Sequence, residues 1–426
     1  MTIACPDPRG HGPSNDGDRV ERPPDGSFEG RRAGMKRSFL AESGWRMPAF
    51  YFIHFFGVGV TLPFLNIFYH SAGITAAQLG WLNAAARIST SLAPPFAGIL
   101  ADRLRRSREI MLICVVLSAL VALGLWWSRG FWAFFVLIAV YSAARGAIGP
   151  IAENVALRQI EESGGQYGRV RWWGSLGFIV AALGVGKIIE KYSIDLMFPV
   201  LFISAAVLLP VVAQFPSNWK SSRPQFKEDL VKLLRTRPLL HFYGSAMLMA
   251  VSAGPFGLYF SIYLRELGMS APLIGLAWTV GVVSEIFFLW YAGEIQKRIG
   301  LKGMIAVGIF AAALRWELTA WTTQWAALIA IQTLHGITFG VYHAGAIQFV
   351  DKWSGAAIKN TGQALYTAVT FGIGSTVGVL LAGWLFSSLG FIRLMHAGAV
   401  LALASGVWFT LSANGPSAGD VADGGG

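Results

Sequence analysis

The polar stretch PSNWKSSRPQFKEDLVKLLRTRP, residues 216–238, divides the hydrophobic part of this chain into two sets of six apolar runs. Each run is near the roughly 20 residues that an α-helix needs to cross a bilayer. The first six runs cover residues 46–70, 76–101, 110–128, 131–157, 170–189 and 196–215, and the second six cover 239–264, 272–296, 303–322, 325–350, 361–389 and 391–411. The sequence therefore predicts an all-α membrane protein with twelve transmembrane helices in two six-helix halves.

Both ends of the chain are polar. Residues 1–43 are rich in Gly, Pro and charge and contain no apolar core region, so we expect a disordered tail rather than a signal peptide. Met35 is an alternative start, because Lys36 and Arg37 follow it directly. The expected organisation is a tail (1–43), an N-terminal half (44–215), a cytoplasmic linker (216–238), a C-terminal half (239–412) and a second disordered tail (413–426).

The composition excludes several classes of protein. Hydrophobic residues make up 54% of the chain and charged residues 13%, against about 25% charged in soluble domains. The net charge of +11 does not indicate nucleic-acid binding, because the basic residues sit in short loops between apolar runs. Two cysteines are too few for a disulfide framework, and the sequence contains no CxxC motif and no phosphate-binding loop. We therefore expect no metal, no cofactor, no ATP hydrolysis and no enzyme activity.

The basic residues fix the expected orientation, since cytoplasmic loops of membrane proteins carry an excess of Lys and Arg. One side has the linker and four further basic loops, whereas the other side has only Arg129, Lys187, Lys191, Arg265 and Arg393. The pattern predicts a multi-pass protein of a bacterial-type inner (plasma) membrane, with both termini in the cytoplasm. We expect a monomer whose partners are the bilayer, a small-molecule substrate and protons.

Weak internal repeats relate the two halves. With constant offsets, the fourth run corresponds to the tenth and the entrance of the fifth run to that of the eleventh; the paired residues are Arg145-Gly146 with His335-Gly336, Glu153 with His343, and Gly177 with Gly374. Two homologous halves imply a pseudo-two-fold axis with a site between them near the midplane, as in secondary transporters.

Charged residues inside the apolar runs are candidates for the site, because such residues are costly in a bilayer and usually functional. The set comprises Arg87, Arg145, Glu153, Glu285, Arg315, Glu317, His335 and His343. Three Arg against three Glu also allow structural ion pairs, and Arg87 fits structure or function equally. Arg315 and Glu317 lie towards the far interface, where they can snorkel. Glu153, Glu285 and His335 favour coupling or substrate contact.

The loop GILADRLRR, residues 98–106, resembles the loop signature of the major facilitator superfamily. The resemblance implies a gating loop in which Gly98, Asp102, Arg103 and Arg106 brace the cytoplasmic helix ends. Arg105 stands where that family usually has Gly.

A narrower resemblance lies in YGRVRWWGSLGF, residues 167–178, which is similar to the fifth-helix entrance of the lactose permease and phenylpropionate permease branches. It implies that Glu153 and Arg171 contact substrate, that Phe178 is the stacking residue, and that Arg315 and His335 match the ninth-helix Arg and tenth-helix His. The nucleoside–proton symporters are more distant members. Thr338 replaces the proton-carrying Glu of the lactose branch, and Glu285 is displaced by about a turn.

Together these features predict a proton symporter that imports a small organic solute by alternating access, with an aromatic carboxylate such as phenylpropionate as the best candidate. Arg171, Glu153 and Phe178 contact substrate in this hypothesis, and Arg145 holds the acidic site. Glu285, Arg315, His335 and His343 carry the proton step. A sugar or nucleoside symporter and a proton-antiport efflux transporter are the alternatives. A non-transporting membrane sensor is a further alternative, but the sequence shows no cytoplasmic signalling domain to receive a signal.

Overall fold

The structure is a computed structural model that describes residues 44–163, 167–215, 217, 232–355 and 358–412. The two predicted tails and most of the linker lie outside these residues. Within them the described chain is almost entirely helical. The N-terminal half contains α1 (Arg46–Ser71), α2 (Ala76–Leu104), α3 (Ser107–Trp127), α4 (Phe131–Ser163), α5 (Tyr167–Lys191) and α6 (Met197–Val212).

The C-terminal half is more segmented. Its helices are α7 (Arg237–Ser252), α8 (Gly254–Glu266), α9 (Ala271–Trp290), α10 (Ala292–Trp321), α11 (Trp325–Ile331), α12 (Tyr342–Ser354), α13 (Lys359–Thr367) and α14 (Ser375–Ser412). A short 3₁₀ turn and a π-helical turn, Gly336–Val341, join α11 to α12, and a second π-helical turn, Ala368–Gly374, joins α13 to α14. Such turns are often found at functional sites.

Ten segments of the described chain are long and apolar enough to cross a membrane. The last of them, Lys359–Ser412, has 54 residues, but α14 breaks at Gly390, where φ is +69°. The 29-residue helix α2 is not among the ten. The arrangement is therefore consistent with twelve crossings.

One predicted boundary differs from the structure. The eighth apolar run was expected to extend to residue 296, yet α9 ends at Trp290 and α10 begins at Ala292. The reversal between successive crossings lies at Gly300, where φ is +66°, within the predicted gap between residues 296 and 303. Glycine adopts this left-handed conformation without a steric cost.

Local sequence explains how α2 starts and stops. The Thr75 hydroxyl accepts a hydrogen bond from the Gln78 amide (3.3 Å), and the Gln78 side chain accepts one from the Thr75 amide (3.0 Å). This reciprocal pair satisfies two amide groups that the first helical turn leaves free. At the other end Arg105 closes the helix with φ +54°.

The repeat-related glycines occupy equivalent positions in the two halves. Gly177 of α5 leaves no room for a Cβ atom against the carbonyl of Phe52 in α1, and Gly374 lies in the same way against the carbonyl of Met247 in α7. Absent side chains let helix backbones approach closely, which replaces the hydrophobic driving force that helices lack inside lipid.

The halves meet at the end of the bundle opposite the linker. There Gly80 of α2 packs on Gly383 of α14, and Gly275 of α9 packs on the Ala182 carbonyl of α5. A polar contact reinforces this seam: the Glu190 carboxylate accepts hydrogen bonds from the Ala271 amide (2.9 Å) and from Arg265 (3.4 Å). The space between the halves is closed at this end.

Candidate functional site

A cavity of about 280 Å³ lies between the two halves. Helices α1 and α5 form one wall, and α8, α9, α10 and the segment after α11 form the other. The wall is mainly aromatic and aliphatic, with a few charged and polar groups; it comprises Phe55, Val58, Leu62, Arg171, Ser175, Phe178, Phe256, Phe260, Ala277, Trp278, Gly281, Val282, Glu285, Arg315, Gln332, His335 and Phe339. An apolar pocket with a few convergent polar groups is the usual form of a small-molecule site.

Arg315 is the centre of the polar part of this wall. Its guanidinium donates to Gln332 Oε1 (2.6 Å) and Thr338 Oγ1 (3.3 Å), and it lies 3.0 Å from His335 Nδ1. The guanidinium also covers the Phe256 ring, with its carbon 4.4 Å from the ring centroid. Arg315 is 4% exposed, so the expectation that it snorkels to the interface is wrong.

Glu285 extends this cluster through His335. Its Oε2 atom lies 3.6 Å from His335 Nε2, on the opposite side of the imidazole from Arg315. The structure thus brings together three of the residues predicted to carry the proton, in the order Arg315, His335, Glu285. A guanidinium only donates, so His335 Nδ1 accepts from Arg315 and the proton of the neutral ring lies on Nε2, the atom that faces Glu285.

Helix α9 is held at this position by small residues. The Ser284 hydroxyl donates to the Thr333 carbonyl, and Gly336 leaves no space for a side chain against the Ser284 backbone. Because α9 and α11 approach so closely, the Glu285 and His335 side chains share one wall of the cavity.

Arg171 forms the charged part of the opposite wall. Its guanidinium carbon lies 4.0 Å from the centroid of the Phe55 ring and 5.5 Å from that of Tyr51. Glu153 does not line the cavity; it accepts a hydrogen bond from the Tyr51 hydroxyl at 3.1 Å. Tyr51 thus lies beside both members of the predicted pair, although no ion pair within 4.0 Å joins Arg171 to Glu153 in the described chain.

Phe178 and Arg145 have different surroundings. Phe178 is 4% exposed and lines the cavity as the resemblance implied. Arg145 does not line the cavity: it donates to the backbone carbonyl of His54 at 2.5 Å and packs against Gly57 of α1. Arg145 therefore ties α4 to α1.

His343 does not line the main cavity but stacks on Phe339, which does. The rings of His335, Phe339 and His343 form a nearly parallel stack, with centroids 5.5 and 5.2 Å apart. His343 Nδ1 is 3.4 Å from the Tyr366 hydroxyl. A smaller space of about 140 Å³, which shares Arg315, His335 and Phe339 with the main cavity, lies on this side.

The predicted gating loop lies at the linker end of α2. Gly98 has open space around its Cα, and Arg103 and Arg106 are exposed. The side chain of Asp102 lies outside the described part of the structure. Glu317, also predicted to face an interface, receives hydrogen bonds from Trp321 (2.7 Å) and lies 3.0 Å from His396.

The alternative that interior Arg and Glu residues pair with each other is not supported in the described chain. None of the six ion pairs found there involves Arg87, Arg145, Arg171 or Arg315. Four Arg against the two interior carboxylates, Glu153 and Glu285, leave a formal charge of +2 when histidine is neutral.

Sequence reasoning missed three contributors to the site: Gln332, Tyr51 and Phe256. A buried amide in an apolar run was a detectable signal for Gln332. Nothing distinguished Tyr51 and Phe256 among the 40 Phe and Tyr residues of the chain, because their roles depend on which helix faces which.

Comparison with known proteins gives the class of the molecule. A sequence profile of the MFS_1 like family matches residues 44–396, and the chain belongs to that family of major facilitator transporters. It is 29% identical over 342 residues to the maltose permease of Geobacillus stearothermophilus, covering 79% of this chain and 86% of the relative. It is 24% identical over 344 residues to the probable 3-phenylpropionic acid transporter of Escherichia coli (strain K12), covering 80% and 90%.

Solved structures agree on the fold. The crystal structure of the nucleoside transporter NupG superposes with a TM-score of 0.79 at 17% identity, covering 88% of this chain and all of that one. The protein is thus a multi-pass membrane transporter with the major facilitator fold and is not an enzyme, as the sequence predicted.

Proposed function

We propose that this transporter imports a small organic anion with a proton by alternating access, and that the solute is an aromatic carboxylate such as phenylpropionate. The observation that carries the proposal is the unneutralised guanidinium of Arg171, which faces the aromatic cavity with no carboxylate within 4.0 Å in the described chain. A solute carboxylate supplies the missing counter-charge, and Arg binds carboxylates bidentately.

The cavity walls suit the rest of such a solute. Phe178 and Phe256 face the cavity from opposite halves, and aromatic rings favour offset or edge-to-face contact with another ring. In this assignment Arg171 binds the carboxylate and Phe178 contacts the ring, while Glu153 positions Arg171 through Tyr51. Arg145 fixes the α1–α4 contact behind them.

The proton follows the cluster on the other wall. Glu285 and His335 exchange it across the 3.6 Å between Oε2 and Nε2 once the Arg315 guanidinium, 3.0 Å from Nδ1, releases the imidazole. His343, beyond Phe339 and with its Nδ1 atom 3.4 Å from the Tyr366 hydroxyl, is a further group that can hold the proton, although the Phe339 ring itself carries none. Thr338 donates no proton of its own in this scheme, which makes Glu285 the acidic carrier.

Orientation follows from the basic loops: the linker and both termini face the cytoplasm of a bacterial-type inner membrane, and the glycine seam closes the outer side. Gly98, Asp102, Arg103 and Arg106 brace the helix ends when the inner side closes. We propose that the transporter works as a monomer, since each chain carries both cavity walls.

Uptake into right-side-out membrane vesicles tests the proposal. A monoanion that enters with one proton moves no net charge, so phenylpropionate uptake is expected to follow an imposed pH gradient and to ignore an imposed membrane potential. A neutral solute that enters with a proton responds to the potential, because moving one charge through 100 mV is worth about 2.3 kcal/mol. Labelled phenylpropionate, uridine and maltose are compared under both gradients.

The variants separate the roles. Arg171→Ala is expected to abolish phenylpropionate uptake, and Glu285→Gln to keep solute exchange while losing acceleration by the pH gradient; Glu317→Gln, at the far interface, is the control. Potential-driven uptake of maltose or uridine without phenylpropionate uptake favours the sugar or nucleoside alternative. Proton-driven phenylpropionate movement out of the cytoplasm, seen as accumulation in everted vesicles, favours efflux.

A further inference from the structure

Arg87 of α2 is a half-buried charge that the proposed mechanism does not use. Its Nε atom is buried and has no hydrogen-bond partner. In the described chain no carboxylate lies within 4.0 Å of its guanidinium, and no hydrogen bond to that group is found. A cation inside a membrane protein normally has a partner, because removing it from water is costly.

The guanidinium lies at the seam between the halves. A Cβ atom added to Gly257 of α8 would come within 3.2 Å of Arg87 Nη2. One turn nearer the closed end, the Asn83 amide donates to Asn66 (2.9 Å), and Asn66 donates to the Leu258 carbonyl (3.1 Å). Arg87 is thus the first charge inside the hydrogen-bonded layer that closes the seam.

Pseudo-symmetry relates Arg87 to the cavity wall. Gly146 packs on Thr90 in the N-terminal half as Gly336 packs on Ser284 in the C-terminal half. The separation of 194 positions between Thr90 and Ser284 also relates Arg87 to Gly281, which lines the cavity. Helix α2 therefore presents a guanidinium where its counterpart α9 presents open cavity wall.

We propose that Arg87 forms a second anion-binding subsite, between α2 and α8, that takes the carboxylate group of the solute at the seam. Gly257 sets no side chain against Nη2, so on this side the guanidinium faces only the α8 backbone and keeps its hydrogen-bond donors unused. This inference rests on the proposed transport of an organic anion. It adds a residue on α2, a helix that contributes nothing to the wall of the main cavity.

Thermal unfolding of the purified full-length protein tests the subsite. Midpoints are measured without ligand and with acetate, benzoate, 3-phenylpropionate or the neutral 3-phenylpropionamide. Arg87→Gln removes an unpaired half-buried charge, so the empty variant is expected to unfold at the same temperature as the wild type or higher. Its carboxylate affinity is expected to fall about tenfold or more, the usual scale for losing a charged hydrogen bond, with amide affinity unchanged.

Two further variants and one control sharpen the result. Arg87→Lys keeps the charge but loses the planar fork, so it is expected to recover only part of the affinity. Gly257→Ala narrows the subsite and is expected to weaken carboxylate binding with all charges intact. Arg393→Gln removes an exposed charge and is expected to match the wild type.

Two results overturn the subsite: a lower unfolding midpoint of ligand-free Arg87→Gln, which marks a structural arginine, or equal carboxylate responses of the wild type and that variant. Stabilisation by acetate and benzoate, but not by phenylpropionate, that is lost in Arg87→Gln supports the subsite and removes phenylpropionate as the solute.

Discussion

At the scale of single residues, the interior arginines contact neutral groups rather than carboxylates. Arg315 bonds to an amide, a hydroxyl and an imidazole, Arg171 lies on aromatic rings, and Arg145 binds a backbone carbonyl. Such partners satisfy the geometry of a guanidinium without cancelling its charge. The interior consequently keeps a positive field in which an anionic solute is the natural counter-ion.

Arg145 and Arg171 are expected to fail in opposite ways when replaced by Met. Arg145→Met loses the charged hydrogen bond to the His54 carbonyl, so we expect a loss of about 1–3 kcal/mol of stability, with KM unchanged in the protein that remains folded. Arg171→Met is expected to raise KM strongly with little change in the unfolding midpoint. Thermal unfolding and transport kinetics of both variants check this contrast, and a raised KM in Arg145→Met would return Arg145 to the substrate site.

Arg105 carries a local backbone cost. Among the described residues it is the one non-glycine with positive φ, a conformation that costs an L-residue roughly 1–2 kcal/mol. Arg105→Gly is expected to stabilise the end of α2 by up to about 1 kcal/mol after the greater chain entropy of glycine is deducted. Arg103→Gly, two residues earlier and inside the helix, is the matched control and is expected to destabilise by about 1 kcal/mol. Unfolding midpoints that move in the same direction for both variants contradict the prediction.

At the scale of elements, glycines set the distances between helices. Gly177 lets α5 touch the α1 backbone, whereas Gly184, two turns further along the same helix, has no neighbour within 4 Å. This pair separates the effect of packing from that of helix propensity.

Gly177→Ala is expected to push α5 away from Phe52 and to destabilise the N-terminal half by about 1–3 kcal/mol, the usual cost of overpacking. Gly184→Ala is expected to be neutral or stabilising by up to about 1 kcal/mol, since alanine is the better helix former. Thermal unfolding in detergent measures both. Equal midpoints for the two variants would show that the α1–α5 contact tolerates a side chain.

At the scale of the whole molecule, the closed seam combines glycine crossings with one polar contact, in which Glu190 joins Arg265 and the first turn of α9. The Glu190–Arg265 ion pair is half-exposed, so its worth is about 0–1 kcal/mol. A contact of this strength holds the seam without locking it.

Glu190→Gln is expected to open the seam more often, by up to about fivefold in population for a loss of 1 kcal/mol. The measurement is the alkylation rate of a cysteine introduced at Ala271, which is buried at this contact, with Cys5 and Cys114 replaced by Ser. Glu294→Gln breaks an ion pair within a single helix and is the control. An alkylation rate equal to that of the parent protein would mean that the glycine contacts alone keep the seam closed.

Sequence predicted the transmembrane architecture because hydrophobic length and loop charge are read directly from residue order. The grouping of Glu285, Arg315 and His335 followed from a family spacing. The partners of Arg145 and Glu153 did not follow, since they depend on helix rotation and depth. The early end of α9 at Trp290 was also missed, because the residues around it are as apolar as those inside the run; the reversal at Gly300 does fall in the predicted gap between residues 296 and 303.

The two π-helical turns of the C-terminal half, Gly336–Val341 and Ala368–Gly374, are irregularities that can shift along a helix. Each stores one surplus residue relative to an α-helix. Passing that surplus along the helix rotates every side chain it crosses by about 100°, without breaking the chain. His335, Phe339 and His343 stand at or within a few residues of the first turn. A slip there re-aims the ring stack, which changes the neighbours of these three rings while the helices themselves stay in place.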